Sequence, residues 1–318
     1  MPLVLENGRC RRLDPPCIDF DDPAVQFGAG GFFETMRVEA GRVHLFAAHI
    51  ERLERALAAW RIAPPADRDG LSLAVAAEAA RHPPHAALRV RVTVGPAPAG
   101  EPRPDGLWPA RAFVAASALD SRHVGSLADR PALRLTTAHG LTAPSIGPWV
   151  GFKSTQRWHY WEALRRARAM GFDEAILANE RGEIVEASAF NVFWTVGDRA
   201  FTPAPECGPL PGVFAAYFTR LAAEAGVEVR SVRADVADLA LADAIVLTNS
   251  LGEAMTAASL DDRPLQRPPD RSAIGLVLNE IDARRSERAD ARLHPASADF
   301  ALRPESPSAA TDSSAPRR

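Results

Sequence analysis

One lysine, Lys153, stands in a chain of 318 residues in which Lys and Arg together number 37, so every other basic position apart from histidine is arginine. Arginine serves surface charge and carboxylate pairing as well as lysine or better, because its guanidinium stays protonated and bonds bidentately. It cannot offer a primary amine that loses its proton and attacks a carbonyl carbon. Lys153 is therefore the first candidate for covalent carbonyl chemistry. The plain alternative is a surface lysine left by chance, so the rest of the chain has to supply the rest of a site.

An amine that holds a phosphorylated aldehyde with a ring nitrogen needs a carboxylate for that nitrogen, a cradle for the phosphate and a wall for the ring. Glu186 lies in an otherwise apolar strand region between Gly182 and Asn191, where an unpaired charge is costly and a protonated ring nitrogen is a fitting partner. Leu210, Pro211 and Gly212 open a helix, and Thr248, Asn249 and Ser250 follow a strand. Both places present backbone N–H groups suited to an anion. Arg52 adds a charge-assisted donor. Taken singly, each is also an ordinary strand, loop or helix-face residue; their presence together in a one-lysine chain is what singles them out.

The elements that must position these residues follow from periodicity and turn signals. Leu3 to Leu5 and Arg9 to Leu13 flank Asn7 and Gly8 as a hairpin, and Phe32 to Val38 pairs with Arg42 to Leu45 across a turn at Glu39 to Gly41. Phe46, Ile50, Leu53, Leu57 and Trp60 form one helical stripe, with His49 and Arg52 beside it. Ser72 to Ala80 reads as a helix broken at Pro83 and Pro84, which leaves His82 and His85 as loop residues. Leu88 to Val94, with Arg89 and Arg91 alternating against aliphatics, and Ala112 to Ala116 read as strands around a Pro/Gly-rich loop.

Ala118 to Arg130 reads as an interdomain linker, giving a small domain at 1–119, a linker at 120–130, a large domain at 131–285 and an extension at 286–318. After a strand from Ala132 to Thr136, a Gly/Pro-rich segment from Gly140 to Gly151 leads into Lys153 and a helix from about Thr155 to Met170. Strand pairs from Ala175 to Thr202, a helix from Val213 to Ala225, a strand from Ala244 to Thr248 and a helix from Ile274 to Ile281 complete the pattern. Beyond His294 the Ser/Ala/Pro/Arg-rich tail has little to bury and is expected to be disordered.

Composition excludes other classes. A hydrophobic content of 47% supports a folded core, and a net charge of -3 without long like-charge runs argues against nucleic-acid or membrane partners. Cys10, Cys17 and Cys207 form no paired spacing, so neither a disulfide framework nor a metal site is expected. The amino terminus lacks signal-peptide features, and no apolar run reaches about 20 residues, which together favour a cytoplasmic protein. The glycines from Gly28 to Gly31 lack the complete spacing and the βαβ setting of a dinucleotide loop.

Over roughly residues 3 to 283 the chain resembles the class IV aminotransferases, the fold-type IV pyridoxal-phosphate enzymes. The matching stretches are Gln26 to Arg37, Ala48 to Leu53, Phe152 with Lys153, Gly171 to Ala175, Gly182 to Phe193, Leu210 to Gly212 and Thr248 to Leu251. The resemblance implies a two-domain α+β fold, pyridoxal 5'-phosphate as cofactor, a small-molecule amino substrate and a homodimer. It makes Lys153 the Schiff-base lysine and Glu186 the ring-nitrogen partner, with Arg52, Gly212, Val213, Asn249 and Ser250 around the phosphate. Thr35 becomes a proton donor, and Arg37 and Arg91 substrate contacts. The stretches Gln26 to Gly28, Ala48 to Leu53 and Asn249 to Leu251 look most like the 4-amino-4-deoxychorismate lyase branch, with D-amino-acid or branched-chain aminotransferase chemistry as the alternative and a non-catalytic cofactor carrier as the second. Two positions depart from the pattern. Phe214 and Ala215 stand where many relatives place Thr or Met and then Arg, and Trp158 stands where many have a Tyr against the ring, with Tyr160 two residues on.

Overall fold

The computed structural model describes residues 3–12, 30–97, 101–285 and 289–292. The stretch Gln26 to Gly28, Cys17 and the tail beyond His294 lie outside the described residues.

The first sheet takes its strands from β1 (Leu3–Glu6), β2 (Arg9–Arg12), β3 (Phe32–Glu39), β4 (Arg42–His44), β5 (Leu88–Pro96) and β6 (Ala110–Ala118). Helices α1 (Phe46–Ala59) and α2 (Arg68–Ala79) pack on one face of it. Alternation decides which side chains meet them: Met36 and Val38 of β3 and Val90, Val92 and Val94 of β5 join Ile50, Leu53, Leu57 and Val75 in one core. Burying each such side chain contributes about 1.5–3 kcal/mol. The intervening residues, Phe33, Thr35 and Arg37 on β3 and Arg91 and Thr93 on β5, fall on the opposite face. Helix α2 begins four residues before the expected Ser72, because Asp67 caps it by accepting from the Gly70 N–H at 2.8 Å.

The second sheet comprises β7 (Leu133–Thr142), β8 (Glu174–Ala178), β9 (Ile184–Ala187), β10 (Asn191–Val196), β11 (Arg199–Pro203), β12 (Val229–Val232), β13 (Ala244–Asn249), β14 (Glu253–Leu260) and β15 (Arg263–Pro264). Their order is β12-β11-β10-β13-β14-β7-β8-β9, with β15 beside β14. Helices α3 (Trp158–Ala169), α4 (Val213–Glu224), α5 (Val236–Leu239) and α6 (Ala273–Ala283) complete this half. Phe214, Phe218 and Leu221 of α4 and Ile274, Val277 and Ile281 of α6 bury one core against Phe193 and Val246, with the Phe193 and Phe218 rings 4.5 Å apart.

A last strand, β16 (Ala289–Arg292), pairs antiparallel with β4, so the first sheet runs β16-β4-β3-β5-β6-β1-β2, antiparallel throughout. This strand falls within the stretch expected to be only an extension, where no apolar run announces it. The fold is α+β, as the resemblance implies.

The lysine segment is tied directly to β3. Phe33 N–H donates to the Lys153 carbonyl and Thr155 N–H to the Gly31 carbonyl, both at 2.9 Å, around a bridge between Phe32 and Ser154. Gly31 is required there: its φ is 89°, and a Cβ would lie 2.0 Å from the Val94 carbonyl oxygen. This tether moves the start of α3 from the expected Thr155 to Trp158, since Ser154 and Thr155 give their backbone to the ladder. Strand β7 likewise outruns its expected end at Thr136, reaching Thr142 through a register shift after Thr137.

Candidate active site

Seven of the ten candidate residues line one cleft: Arg52, Lys153, Glu186, Gly212, Val213, Asn249 and Ser250. They arrive from α1, the tethered segment, β9, the start of α4 and the turn after β13.

Lys153 is partly exposed as a residue, but its amine is crowded by protein. Burial, then the Arg157 and Arg52 guanidiniums, lower its pKa to about 7 against the opposing pull of Glu34 and Glu186. An amine poised there is substantially unprotonated near neutral pH and so nucleophilic. Its nitrogen stands 4.9 Å from the centre of the Phe33 ring.

Glu186 is buried on β9 and accepts from the Leu210 N–H at 3.1 Å. Arg157 lies 4.0 Å from its other oxygen, donates to the Ser188 carbonyl at 3.1 Å and stacks 3.8 Å over the Tyr160 ring. Burial first, and then Glu186 by charge and hydrogen bond, push the Tyr160 phenol well above its ordinary range, so it stays a neutral donor. Trp158 plays no such part: it is 74% exposed and stacks on Trp161 at 4.9 Å. Arg157 and Tyr160, near it in sequence, are the residues of this segment that turn toward Glu186. Sequence reasoning passed over Arg157, although it stands only four residues beyond the lysine.

The opposite end of the cleft is built from backbone and a clamped arginine. Gly212 precedes the first turn of α4, which has no side-chain cap. A Cβ on Gly212 would fall 1.9 Å from Asn191 Oδ1, so only glycine fits beside that amide, whose Nδ2 donates to the Leu210 carbonyl at 2.8 Å. Arg52 gives Nε and one Nη to the two oxygens of Glu34 at 2.8 and 2.7 Å and the other Nη to the Pro211 carbonyl at 2.9 Å. Three of its five donors are so used among the described residues. Glu34 also receives His49 Nδ1 at 2.6 Å. Burial raises the Glu34 carboxyl, but Arg52 and His49 outweigh it and hold the pKa at about 2. Thr248 Oγ1, fully buried in the cleft wall, has no hydrogen-bond partner among the described residues. Phe214 also borders the cleft, but its ring packs into the α4 core 5.6 Å from Tyr217.

The other three candidates lie outside this lining. Thr35 and Arg91 are partners across β3 and β5. Arg91 stacks 3.8 Å over the Phe33 ring that Lys153 also approaches, and burial, then Arg89 and Arg157, lower its pKa. Arg37 is completely buried and donates to the carbonyls of Leu251 and His123 and to Glu39.

A lysine with a lowered pKa, a buried carboxylate and the uncapped start of α4 thus line one cleft. The chain belongs to the class IV amino-transferase family, whose model matches residues 31–260. It is similar to the aminodeoxychorismate lyase of Bacillus subtilis, at 25% identity over 82% of this chain and 87% of that one. A probable branched-chain-amino-acid aminotransferase of Aquifex aeolicus is 34% identical over 32% of this chain and 34% of its own. Among solved structures, the branched-chain aminotransferase of Thermoproteus uzoniensis with norvaline shares the fold at a TM-score of 0.75 and 24% identity, covering 90% of this chain and 96% of that one. The PLP-bound form of an aminotransferase from Mycobacterium tuberculosis does so at 0.73 and 24%, covering 90% and 100%.

Proposed function

We propose that this chain is a pyridoxal-phosphate-dependent 4-amino-4-deoxychorismate lyase, forming 4-aminobenzoate and pyruvate for folate synthesis. The cofactor fits the residues present. The unpartnered Thr248 hydroxyl, the uncapped first turn of α4 behind Gly212 and the two remaining Arg52 donors supply a place for a phosphate. Lys153 and Glu186 stand in the same cleft to take the aldehyde carbon and the ring nitrogen. When bound, pyridoxal phosphate supplies a carbonyl for amines and an electron sink.

Within this reading the chain's own groups do the following. Lys153 Nζ would hold the cofactor's aldehyde carbon, and as a free amine it would stand as the base for the proton on the carbon bearing the substrate amine. Glu186 would face the ring nitrogen and favour its protonated form, and Arg157 keeps Lys153 from holding its own proton too tightly. Arg157 and Arg91 make the approach cationic, which suits a substrate carrying carboxylates. Thr35, on the β3 face shared with Phe33, is assigned proton return to the departing fragment. We read the two sheets as two domains joined near residues 120–130, working in the cytoplasm as a homodimer.

The observation that favours the lyase is the extent of likeness: the B. subtilis lyase matches over 82% of this chain, the A. aeolicus aminotransferase over 32%. The shared fold with the T. uzoniensis enzyme favours the second reading, a class IV aminotransferase. Half-reactions separate the two. Aminodeoxychorismate is expected to yield 4-aminobenzoate and pyruvate in equal amounts, while single D- or L-amino acids leave the visible cofactor band nearly unchanged. Rapid bleaching by an amino acid, with no 4-aminobenzoate formed, reverses the choice.

A further inference from the structure

Thr248, Asn249 and Ser250 line one side of the cleft, and the Asn249 side chain closes the turn that follows them onto itself. Asn249 Oδ1 accepts from the N–H groups of Leu251 and Gly252 at 3.0 and 2.6 Å, while Nδ2 donates to the Ala189 carbonyl at 3.0 Å. The carbonyls of the same residues are taken by arginines. Arg37 donates to Leu251 at 2.7 Å, and Arg130 donates to Gly252 at 2.5 Å. The next residue, Glu253, is 1% exposed and has a φ of 56°, a conformation that a side-chain-bearing residue holds only where its surroundings impose it. Its carboxylate accepts from Arg130 and Arg285, each at 2.9 Å, and lies 4.0 Å from Arg37.

These three guanidiniums come from separate parts of the chain: β3, the segment before β7, and the end of α6. They are matched by three carboxylates, since Arg37 also pairs with Glu39 and Arg285 with Asp282. Charges buried this deeply persist only when paired, and a paired cluster has one geometry. Arg37 reaches furthest across the molecule, also binding the His123 carbonyl at 2.8 Å, and its side chain is 0% exposed.

We propose that Arg37, with Arg130 and Arg285, is a positioning residue that fixes the Thr248–Gly252 turn and thereby the phosphate side of the cradle, and that it does not touch substrate. This rests on reading the cleft as the seat of a phosphorylated cofactor. The role belongs to the phosphate end, because Lys153 and Glu186 reach the cleft on other elements and neither bonds directly to this turn.

The test compares two ligands that differ only in the phosphate. Equilibrium affinities for pyridoxal 5'-phosphate and for pyridoxal are measured on cofactor-stripped protein, for the unsubstituted chain, Arg37→Met and Arg285→Gln. Arg37→Met is expected to lose roughly tenfold or more in affinity for pyridoxal phosphate, the size typical when a partner orienting a ligand-binding group is removed. Its affinity for pyridoxal stays within about twofold, below the scatter of ordinary surface changes. Arg285→Gln, at a side chain that is 23% exposed, moves the same ratio less and keeps the test alive if Arg37→Met does not fold. Equal losses for both ligands overturn the proposal in favour of general damage. Unchanged affinities with a raised KM for a carboxylate-bearing substrate overturn it in favour of a substrate contact. Unsubstituted protein that binds neither ligand overturns the cofactor reading itself, a failure visible before any substitution is made.

Discussion

Two buried charged regions meet at the β13–β14 turn, and they are built on opposite rules. Behind the turn, Arg37, Arg130 and Arg285 face Glu39, Glu253 and Asp282, and the three carboxylates each receive a guanidinium. In front of it, Lys153 is held with a lowered pKa, Thr248 Oγ1 has no partner among the described residues, and Arg52 keeps two donors unspent. Carboxylates each paired with a guanidinium fix a shape, although the Nε atoms of Arg37, Arg130 and Arg285 have no partner among the described residues. An unpartnered group in the cleft lining instead stores an attraction for a ligand that completes it. The Glu34, His49 and Arg52 cluster sits between these extremes: its carboxylate is saturated so that its arginine can face the cleft in one orientation.

The contrast breaks most sharply at the lysine. Lys153→Arg puts a permanently charged guanidinium where an amine can give up its proton, so turnover is expected to fall by on the order of 10⁴-fold, with circular dichroism reporting that the fold is kept. Near-normal turnover would move the chemistry off this cleft. Next comes the intermediate cluster. Glu34→Ala leaves Arg52 and His49 without their buried carboxylate and is expected to cost about 3–5 kcal/mol in denaturant unfolding. A cost below about 1 kcal/mol would show that this pairing is dispensable.

Arg157→Gln sharpens the comparison from the ligand side. Removing the largest electrostatic contribution to the lowered amine is expected to raise the Lys153 pKa by roughly one unit. With a single lysine in the chain, ¹⁵N-lysine labelling gives one side-chain resonance to titrate. The same amine makes stability depend on pH. Its pKa is about 7 in the folded chain against an ordinary 10.5 for a free lysine, so the full cost of burying it is present below about 7 and disappears above about 10.5. Between these values the unfolded chain binds more protons, and cofactor-free protein is expected to gain stability as pH rises. Lys153→Met is expected to remove that slope, and an unaltered slope would assign it elsewhere. The smallest effect belongs to the exposed pair Glu51 and Arg55, 62% and 63% exposed, where Arg55→Ala is expected to change stability by less than about 0.5 kcal/mol.

Residue type and local spacing made part of this legible. Lys153 stood out because arginine had replaced every other lysine, Glu186 because a carboxylate in an apolar strand demands a partner, and Gly212 because it opens a helix. Glu34 carries the same signal as Glu186, and it was overlooked because its partners lie on α1, beyond any local pattern. Arg37 illustrates the converse. Its place on β3 suggested a substrate contact, whereas its partners sit as far along the chain as Leu251. The start of α3 was placed three residues early because a helix-forming stretch gives no sign that Thr155 is already bonded to Gly31. Strands β14 and β16 were missed for a related reason: β14 mixes small residues with few large ones, and pairing partners rather than composition define both.

The central claim is that Lys153 carries the aldehyde cofactor, and borohydride reduction followed by peptide mass spectrometry tests it most directly. Protein loaded with pyridoxal phosphate is expected to retain one pyridoxyl group after reduction, on the peptide containing Lys153, with none retained by Lys153→Arg. A protein that stays colourless with pyridoxal phosphate, or one whose label falls only on the amino-terminal amine, would contradict the account.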